Sequence, residues 1–412
     1  MTPLRVLLTN LKLDAATGTE CYTYDVARRL LWLGHSPMVY SPRLGPLATQ
    51  LVELGIPVVD RIERIAAVPD VIHGHHALET MTAMLRFPET PAVFVCHDAA
   101  AWHDRPPRFP RLRHWVAVDD ACRERLVGAE GVAPEQVTVV QNGVDLRRFR
   151  PRSTPLPERP HEALLMSNYA DHATAKAVRA ACEQCDMHLT CVGKNFREQW
   201  TAPEAHLEKF DLVFAKARCA REALAVGNAV IVCDAAGSGP LVTAGDLERL
   251  AGCNFGRRLL RGPLDPAWLV AEIRRYDAAD AAEASRRLRA LADLDIVAGQ
   301  LVELYHSAID AQRQSLDDPF VERIREENRA AAEFVQWWSV HCEEAIRRER
   351  RRRRPLAQLA LWWQSLRSWF TRSASAASQS AGAAAQSSSA ESNAVGMPPQ
   401  TSSTVPTSRR AA

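Results

Sequence analysis

The chain has 412 residues, more than one ordinary domain needs, and 47% of them are hydrophobic, which is enough for packed cores. The formal net charge of +2 gives the chain as a whole no preference for nucleic acid or for an acidic partner. No apolar run reaches the ~18 residues that span a bilayer, and the first residues do not resemble a signal peptide. We therefore expect a cytoplasmic protein.

The ten cysteines lie mostly inside apolar stretches such as VFVCHD and VIVCD. This placement is typical of reduced cysteines that serve as small core residues. Cys182 and Cys185 have CxxC spacing, but they lie in a helical pattern and no second pair matches them. A core role is therefore favoured over a metal or redox centre.

Residues 1–149 alternate short apolar runs with segments of helical periodicity. Such alternation predicts a parallel sheet covered by helices on both faces. The predicted strands are residues 4–9, 38–40, 58–59, 71–73, 92–96, 115–118 and 137–140, and the predicted helices are residues 20–33, 49–54, 78–85 and 121–127.

Residues 150–161, RPRSTPLPERPH, are rich in proline and polar side chains and predict an interdomain linker. The alternation then restarts over residues 162–314, with predicted strands at 163–166, 188–192, 212–215 and 229–233 and predicted helices at 174–185, 219–226 and within 266–313. The expected fold class is α/β, with two Rossmann-like parallel-sheet domains that face a cleft.

Residues 318–372 predict a helical extension. Apolar residues recur every seven positions from Ile324 to Ala345, which fits either a coiled coil or a helix packed on its own protein. The arginine run 347–354 and the Trp-rich stretch that follows are typical of a helix on an anionic membrane surface; docking on the protein itself is the alternative. No recognised nucleic-acid-binding fold accompanies the arginines. The Ser-, Ala- and Thr-rich residues 373–412 predict a disordered tail.

One segment carries a family pattern. Residues 115–150 combine a strand, a helix and a second strand with the turn Asn142–Gly143–Val144–Asp145, a spacer and Phe149. This arrangement resembles the end of the first domain of glycosyltransferase family 4, a retaining family with the GT-B fold. Asn-Gly is a strong turn signal, which suits a chain that leaves a strand to cross between domains.

Further segments support the resemblance. Thr17–Gly18–Thr19–Glu20 is similar to the family's glycine-rich loop beside the donor phosphates and the acceptor, which implies that role for Gly18 and Thr19. His97, after the run AVFVC, resembles the family histidine that contacts the donor sugar at a strand end. His73, His75 and His76 suggest a metal, but no carboxylate joins them at ligand spacing, so we expect none.

The donor half resembles the family more weakly. Arg221–Gly227, REALAVG, is similar to the family's Glu-Ala-Met-Ala-x-Gly motif, which implies that Glu222 binds the ribose hydroxyls. The glutamate that usually stands eight positions earlier is replaced by Phe214, and the usual diphosphate-binding Arg and Lys are not in pattern. Lys194, Lys216 and Arg218 are candidate substitutes, because a leaving diphosphate needs positive charge.

The resemblance spans roughly residues 4–311 and implies a hexosyltransferase of polysaccharide biosynthesis. It would move a sugar, with retention, from a nucleoside diphosphate sugar to a glycan or lipid-linked glycan, at the inner face of the membrane and without a cofactor. Two alternatives remain open. One is a non-catalytic GT-B binding or scaffold subunit of an envelope polysaccharide assembly, and the other is a nucleotide-sugar epimerase.

Overall fold

The computed structural model describes residues 2–315, 319–344 and 347. The chain divides into two compact parts, residues 1–334 and 335–412. The first part contains both β-sheets with their helices, which form two α/β units, and residues 320–334 of this part are also helical. In the second part, residues 335–344 are helical.

The first sheet has seven parallel strands in the order β3-β2-β1-β4-β5-β6-β7. Its strands are β1 (Arg5–Thr9), β2 (Ser36–Tyr40), β3 (Val58–Val59), β4 (Val71–Gly74), β5 (Ala92–Cys96), β6 (Leu112–Ala117) and β7 (Val137–Val139). The helices between them are α1 (Gly18–Trp32), α2 (Pro46–Glu53), α3 (Ala77–Arg86) and α4 (Asp120–Glu124), the last continued by a π-helical turn, Arg125–Ala129. β1, β4 and β5 are almost wholly buried, as expected of strands covered on both faces.

The second sheet has the order β12-β11-β10-β8-β9. Its strands are β8 (Glu162–Met166), β9 (His188–Val192), β10 (Leu212–Ala215), β11 (Ala229–Asp234) and β12 (Gly237–Leu241), and its helices are α5 (His172–Glu183), α6 (Ala217–Val226), α7 (Leu247–Gly252), α8 (Pro266–Ile273) and α9 (Ala278–Leu291). The antiparallel edge strand β12, GSGPL, was not predicted, because glycine and proline are depleted in strands. The two α/β units, and hence the predicted fold class, are confirmed.

In each sheet the strand order reverses at one pair of neighbouring strands, which is where open α/β sheets usually bind ligands. In the first sheet β1 lies between β2 and β4, so the loops after β1 and β4 diverge to opposite sides. In the second sheet β8 lies between β9 and β10, so the loops after β8 and β10 diverge in the same way. Crevices at the carboxyl ends of such strand pairs are the usual ligand sites of open α/β sheets.

The chain crosses between the two sheets twice, and the two crossings pair with each other. On the way out, the Val144 N–H donates to Ala292 O at 2.7 Å; on the way back, the Leu294 N–H donates to Val144 O at 3.1 Å. Helix α10 (Leu294–Ser315) then packs on β4, β5, β6 and α1 of the first sheet, and Tyr305 OH bonds the buried His73 Nδ1 at 2.6 Å. The sequence assigned residues 162–314 to one domain, whereas their last helix lies on the other sheet.

Several predictions about the C-terminal region lie outside the described residues. They include most of the basic and aromatic stretch 347–372 and the whole tail 373–412. In the part of the chain that the structure describes, no helix combines the length and the apolar character that crossing a bilayer would require.

Candidate functional site

A cavity of about 530 Å³ opens where the carboxyl ends of the two sheets meet. From the first sheet it is lined by the loop after β1, the start of α1 and the loops after β4 and β5; from the second it is lined by Tyr169 and by the first turns of α6. The crossing segment Asn142–Val144 and Leu294 also lie in its wall. A volume of this size suits a small ligand or cofactor.

His97 lines this cavity directly after β5. Its Nε2 shares a hydrogen bond with His75 Nδ1 at 2.8 Å, and the two rings are stacked with centroids 4.8 Å apart. The ring of Tyr22 from α1 meets His97 edge-on at 4.7 Å. Burial lowers the pKa of His97 to about 3, so the ring is neutral at physiological pH and acts as a hydrogen-bonding and packing group.

Gly18 and Thr19 form the first turn of α1 and also line the cavity. No other part of the described chain lies within 4 Å of the position that a Gly18 Cβ would take, so the helix start is open to the cavity. The carboxylate of Glu20, in the same first turn of α1, accepts hydrogen bonds from Thr17 Oγ1 and Thr19 Oγ1 and lies 3.4 Å from Lys12 Nζ. The helix start that the resemblance assigns to the acceptor and phosphate side therefore faces the cavity.

His76, His103 and Asp104 form a second group in the wall, with their nearest ligating atoms within 4.8 Å of one another. His76 Nδ1 accepts a hydrogen bond from the Leu11 N–H at 3.0 Å, so in the neutral ring the proton sits on Nε2, which points at Asp104 Oδ1 4.0 Å away. A protonated nitrogen has no lone pair for a metal ion. Burial raises the pKa of Asp104 to about 7, because the surrounding protein disfavours its charged form.

Glu222 lies on α6 and is only 5% exposed. Its Oε1 accepts from Arg218 Nε at 2.7 Å, and the same guanidinium contacts Asp25 Oδ2 of α1 at 2.7 Å. Arg148 adds a contact with Asp25 at 3.4 Å and a bidentate pair with Glu204 at 3.0 Å. Arg218 and Asp25 line the cavity, so this ion network joins the two α/β units at its wall.

The other predicted cations differ in position. Lys216 pairs with the buried carboxylate of Asp234 and lies 4.7 Å from the centre of the Tyr169 ring, beside the cavity. Lys194 is exposed after β9; its backbone N–H donates to Asn168 Oδ1 at 3.2 Å, and it is not part of the cavity wall.

Three residues of the interdomain turn, Asn142–Val144, line the cavity. Asn142 is in the wall, and its carbonyl oxygen accepts from Arg221 Nη1 at 3.1 Å. Asp145 is buried and accepts from the backbone N–H groups of Arg148 and Phe149, which shapes the chain as it leaves the first sheet.

Comparison with known proteins agrees with this arrangement. Residues 16–148 match the sequence profile described as Glycosyltransferase Family 4. A glycosyltransferase from Rickettsia africae superimposes with a TM-score of 0.56 at 13% identity, over 75% of this chain and 99% of that one. The chain therefore has the GT-B fold, and its residues 16–148 are similar to glycosyltransferase family 4.

Anabaena Alr3699/HepE, solved with UDP and glucose, superimposes on this chain with a TM-score of 0.54 at 15% identity, over 74% of this chain and 100% of that one. Another structure of HepE holds UDP-glucose. At these identities the likeness concerns the fold. Among curated proteins, none matches the sequence.

Sequence patterns did not place several residues in this site that the structure brings into the cavity wall: Tyr22, Asp25, His76, His103, Asp104 and Arg221. Arg221 belongs to the REALAVG motif, and His76 to the histidine group considered for a metal, but no sequence feature assigned either residue to this cavity. Asp25 and Asp104 carry no local signal, because their surroundings come from distant segments.

Proposed function

We propose that this protein transfers a sugar from a nucleoside diphosphate sugar to a glycan or lipid-linked glycan, with retention of configuration. The observation that carries the proposal is a cavity lined by the carboxyl ends of both sheets, at the strand pairs where the order reverses. The UDP and UDP-glucose complexes of HepE, a protein of the same fold, support a nucleotide sugar as the donor.

In this proposal the two α/β units divide the substrates. The donor nucleotide binds the second α/β unit, with Glu222 on the ribose and Arg218 and Lys216 near the diphosphate. The acceptor binds near Gly18 and Thr19. Lys194 lies outside the cavity wall and is left out of this scheme. Glu222 must exchange its contact with Arg218 for the ribose hydroxyls. His97, neutral and held by His75, contacts the donor sugar.

The reaction needs no cofactor in this scheme. The acceptor oxygen forms a bond to the anomeric carbon as the bond from that carbon to the diphosphate oxygen breaks. The leaving diphosphate takes the bonding electrons and accepts the acceptor's proton on the same face. Cations and N–H donors at the cavity stabilise the developing charge.

The setting we propose is polysaccharide biosynthesis, with a hexosyl group transferred at the cytoplasmic face of a membrane. The basic and aromatic residues 347–372 would bind the anionic surface.

A thermal-shift panel of UDP-, GDP- and ADP-sugars with the full chain tests the donor site. A matching donor must raise the melting temperature, because a ligand that binds the native state stabilises it. The shift should be largely lost in Glu222→Gln and kept in Glu248→Gln, whose side chain is exposed on α7. Release of the nucleoside diphosphate with an acceptor glycan would then establish transfer.

One observation favours a second candidate, a non-catalytic GT-B binding or scaffold subunit. Glu222 and Arg218 are bound to each other, and Lys216 is bound to Asp234, so the donor-side charges are already engaged. A protein that melts cooperatively but responds to no nucleotide sugar, or that binds one without turnover, would support this candidate.

A further inference from the structure

Arg221 is a buried arginine in the wall of the cleft. Its side chain leaves α6 and is only 1% exposed, yet the residue lines the cavity. Nε donates to Asn254 Oδ1 at 2.9 Å and Nη1 to Asn142 O at 3.1 Å. Nη2 donates to Gln141 Oε1 at 3.1 Å and to Ala251 O at 3.3 Å. All four of these acceptors are neutral oxygens.

The other cations of the cavity wall are balanced by carboxylates. Lys12 Nζ lies 3.4 Å from Glu20, and Arg43 Nη2 lies 3.2 Å from Asp14. Arg218 contacts both Asp25 and Glu222 at 2.7 Å. Among the described residues, Arg221 is the wall cation that contacts no carboxylate, since its acceptors are those four neutral oxygens.

A buried cation without a counter-ion is costly, and proteins usually pair it. Arg111, the comparable buried arginine of the first sheet, also donates to backbone carbonyls but meets the Glu327 carboxylate at 2.8 Å. Burial lowers the pKa of Arg221 to about 10, so the guanidinium stays charged at neutral pH. The Asp119 carboxylate raises this pKa through space but does not contact the guanidinium, so the cleft holds a positive charge with no carboxylate in direct contact.

The guanidinium also has one N–H group that donates to none of the described residues. Arginine has five N–H groups, and the four named hydrogen bonds use one on Nε, one on Nη1 and two on Nη2. The second Nη1–H has no acceptor among the residues that the structure describes. A planar guanidinium that is fixed on three sides and charged is well suited to a phosphate oxygen.

We infer that Arg221 provides the counter-charge for the diphosphate of the sugar donor. The inference rests on the proposed function, and it identifies a binding residue that replaces the cations missing from the family pattern. Because Arg221 also holds Gln141 and Asn142, the charge of the bound diphosphate acts on the segment that joins the two α/β units.

The test uses the full chain and inorganic pyrophosphate, with binding measured by calorimetry at constant ionic strength. Arg221→Gln should bind pyrophosphate about ten- to hundredfold more weakly than the wild type, the loss typical of a charge-assisted hydrogen bond. Arg43→Gln is the matched control, because Arg43 lines the same cavity but already has a carboxylate partner; its affinity should stay within about threefold. Equal affinity in wild type and Arg221→Gln would overturn the inference.

Arg221→Lys keeps the experiment decisive if Arg221→Gln does not fold. Lysine keeps the positive charge but cannot reproduce the four hydrogen bonds. It should retain pyrophosphate binding within about tenfold of the wild type, even where its melting temperature falls; loss of binding by a folded Arg221→Lys would overturn the inference, as would a wild type that pyrophosphate does not bind.

The same variants separate this inference from the proposed function. If a nucleotide sugar binds wild type and Arg221→Gln equally well, the role of Arg221 is wrong and the donor site stands. If pyrophosphate binding depends on Arg221 but no nucleotide sugar binds or is turned over, the anion site stands and the transferase proposal is wrong.

Discussion

At the scale of single residues, the histidines of the first sheet are the most constrained group. His73 and His75 are fully buried, His76 is 3% exposed, and His97 faces the cavity. Burial lowers the pKa of His73, His76 and His97 to about 3 and that of His75 well below its ordinary value. These rings are therefore neutral when the protein is folded.

Their titration should make the protein sensitive to acid. The pKa of each ring is lower in the folded chain than the ordinary value of about 6.5, so the stability they allow is present above that value and is lost as the pH falls below it. Each ring lowers the free energy of unfolding by up to about 1.4 kcal/mol per pH unit. We expect urea unfolding to show decreasing stability from pH 7 to pH 5.

Asp104 provides the matched variant for this prediction. Its pKa is raised to about 7 on folding, so it takes up a proton in the folded state as the pH falls and partly offsets the histidines. Asp104→Asn should therefore lose stability more steeply between pH 7 and pH 5. A flat profile in the wild type, or a shallower one in Asp104→Asn, would contradict this assignment of the protons.

At the scale of elements, the turn after β7 allows the chain segment that leaves the first sheet to pack closely against the segment that returns to it. A Cβ on Gly143 would lie 2.9 Å from Leu294 Cα and 3.2 Å from Val297 Cγ2, both at the start of α10. Glycine is needed there because the outgoing and returning chains pair closely at Val144. The Asn-Gly pattern thus marks a close approach between two segments far apart in sequence.

Gly143→Ala should lower the free energy of unfolding by about 1–3 kcal/mol, the usual cost of overpacking a tight contact. Gly18→Ala is the control, because no atom lies within 4 Å of its Cβ position and alanine favours a helix start more than glycine does. Chemical denaturation compares the two. A Gly143→Ala protein as stable as Gly18→Ala would show that the crossing segments are less tightly packed than described.

At the scale of the whole molecule, the arrangement of the two α/β units depends on charge as well as on chain crossing. Asp25 of α1 is 4% exposed and contacts Arg218 of α6 at 2.7 Å and Arg148 of the crossing segment at 3.4 Å. Removing one partner of a buried ion pair leaves an uncompensated charge, which is costly. The contacts of Asp25 with Arg218 and Arg148 therefore link the stability of the molecule to the geometry of the cleft.

Asp25→Asn should lower the free energy of unfolding by about 3 kcal/mol and make unfolding less cooperative between the two units. Asp60→Asn removes an aspartate of the same kind from the exposed pair with Arg64, where about 0–1 kcal/mol is expected. Calorimetry would measure both variants. If Asp25→Asn costs no more than Asp60→Asn, the network does not hold the units together.

Much of this fold could be predicted from local sequence patterns. The apolar alternation of residues 1–149 and 162–234 predicted the strands and helices, because a strand buried on both faces needs a continuous apolar run and a covering helix needs a periodic one. The turn at residues 142–145 and the proline-rich segment 150–161 were recognised from a second local signal. Glycine permits backbone angles that other residues avoid, and proline restricts them. The resemblance to glycosyltransferase family 4 followed from these local features.

The tertiary structure decided the rest. The return of α10 to the first sheet, the pairing of Arg218 with Asp25, and the hydrogen bonds from Arg221 to Gln141 and Asn142 all depend on contacts between segments far apart in the chain. A sequence pattern records which residues can form a helix or strand, but the partner of a buried charge is set by which surfaces meet when two α/β units close on a cleft. The charge balance of the site is for that reason a property of the folded molecule alone.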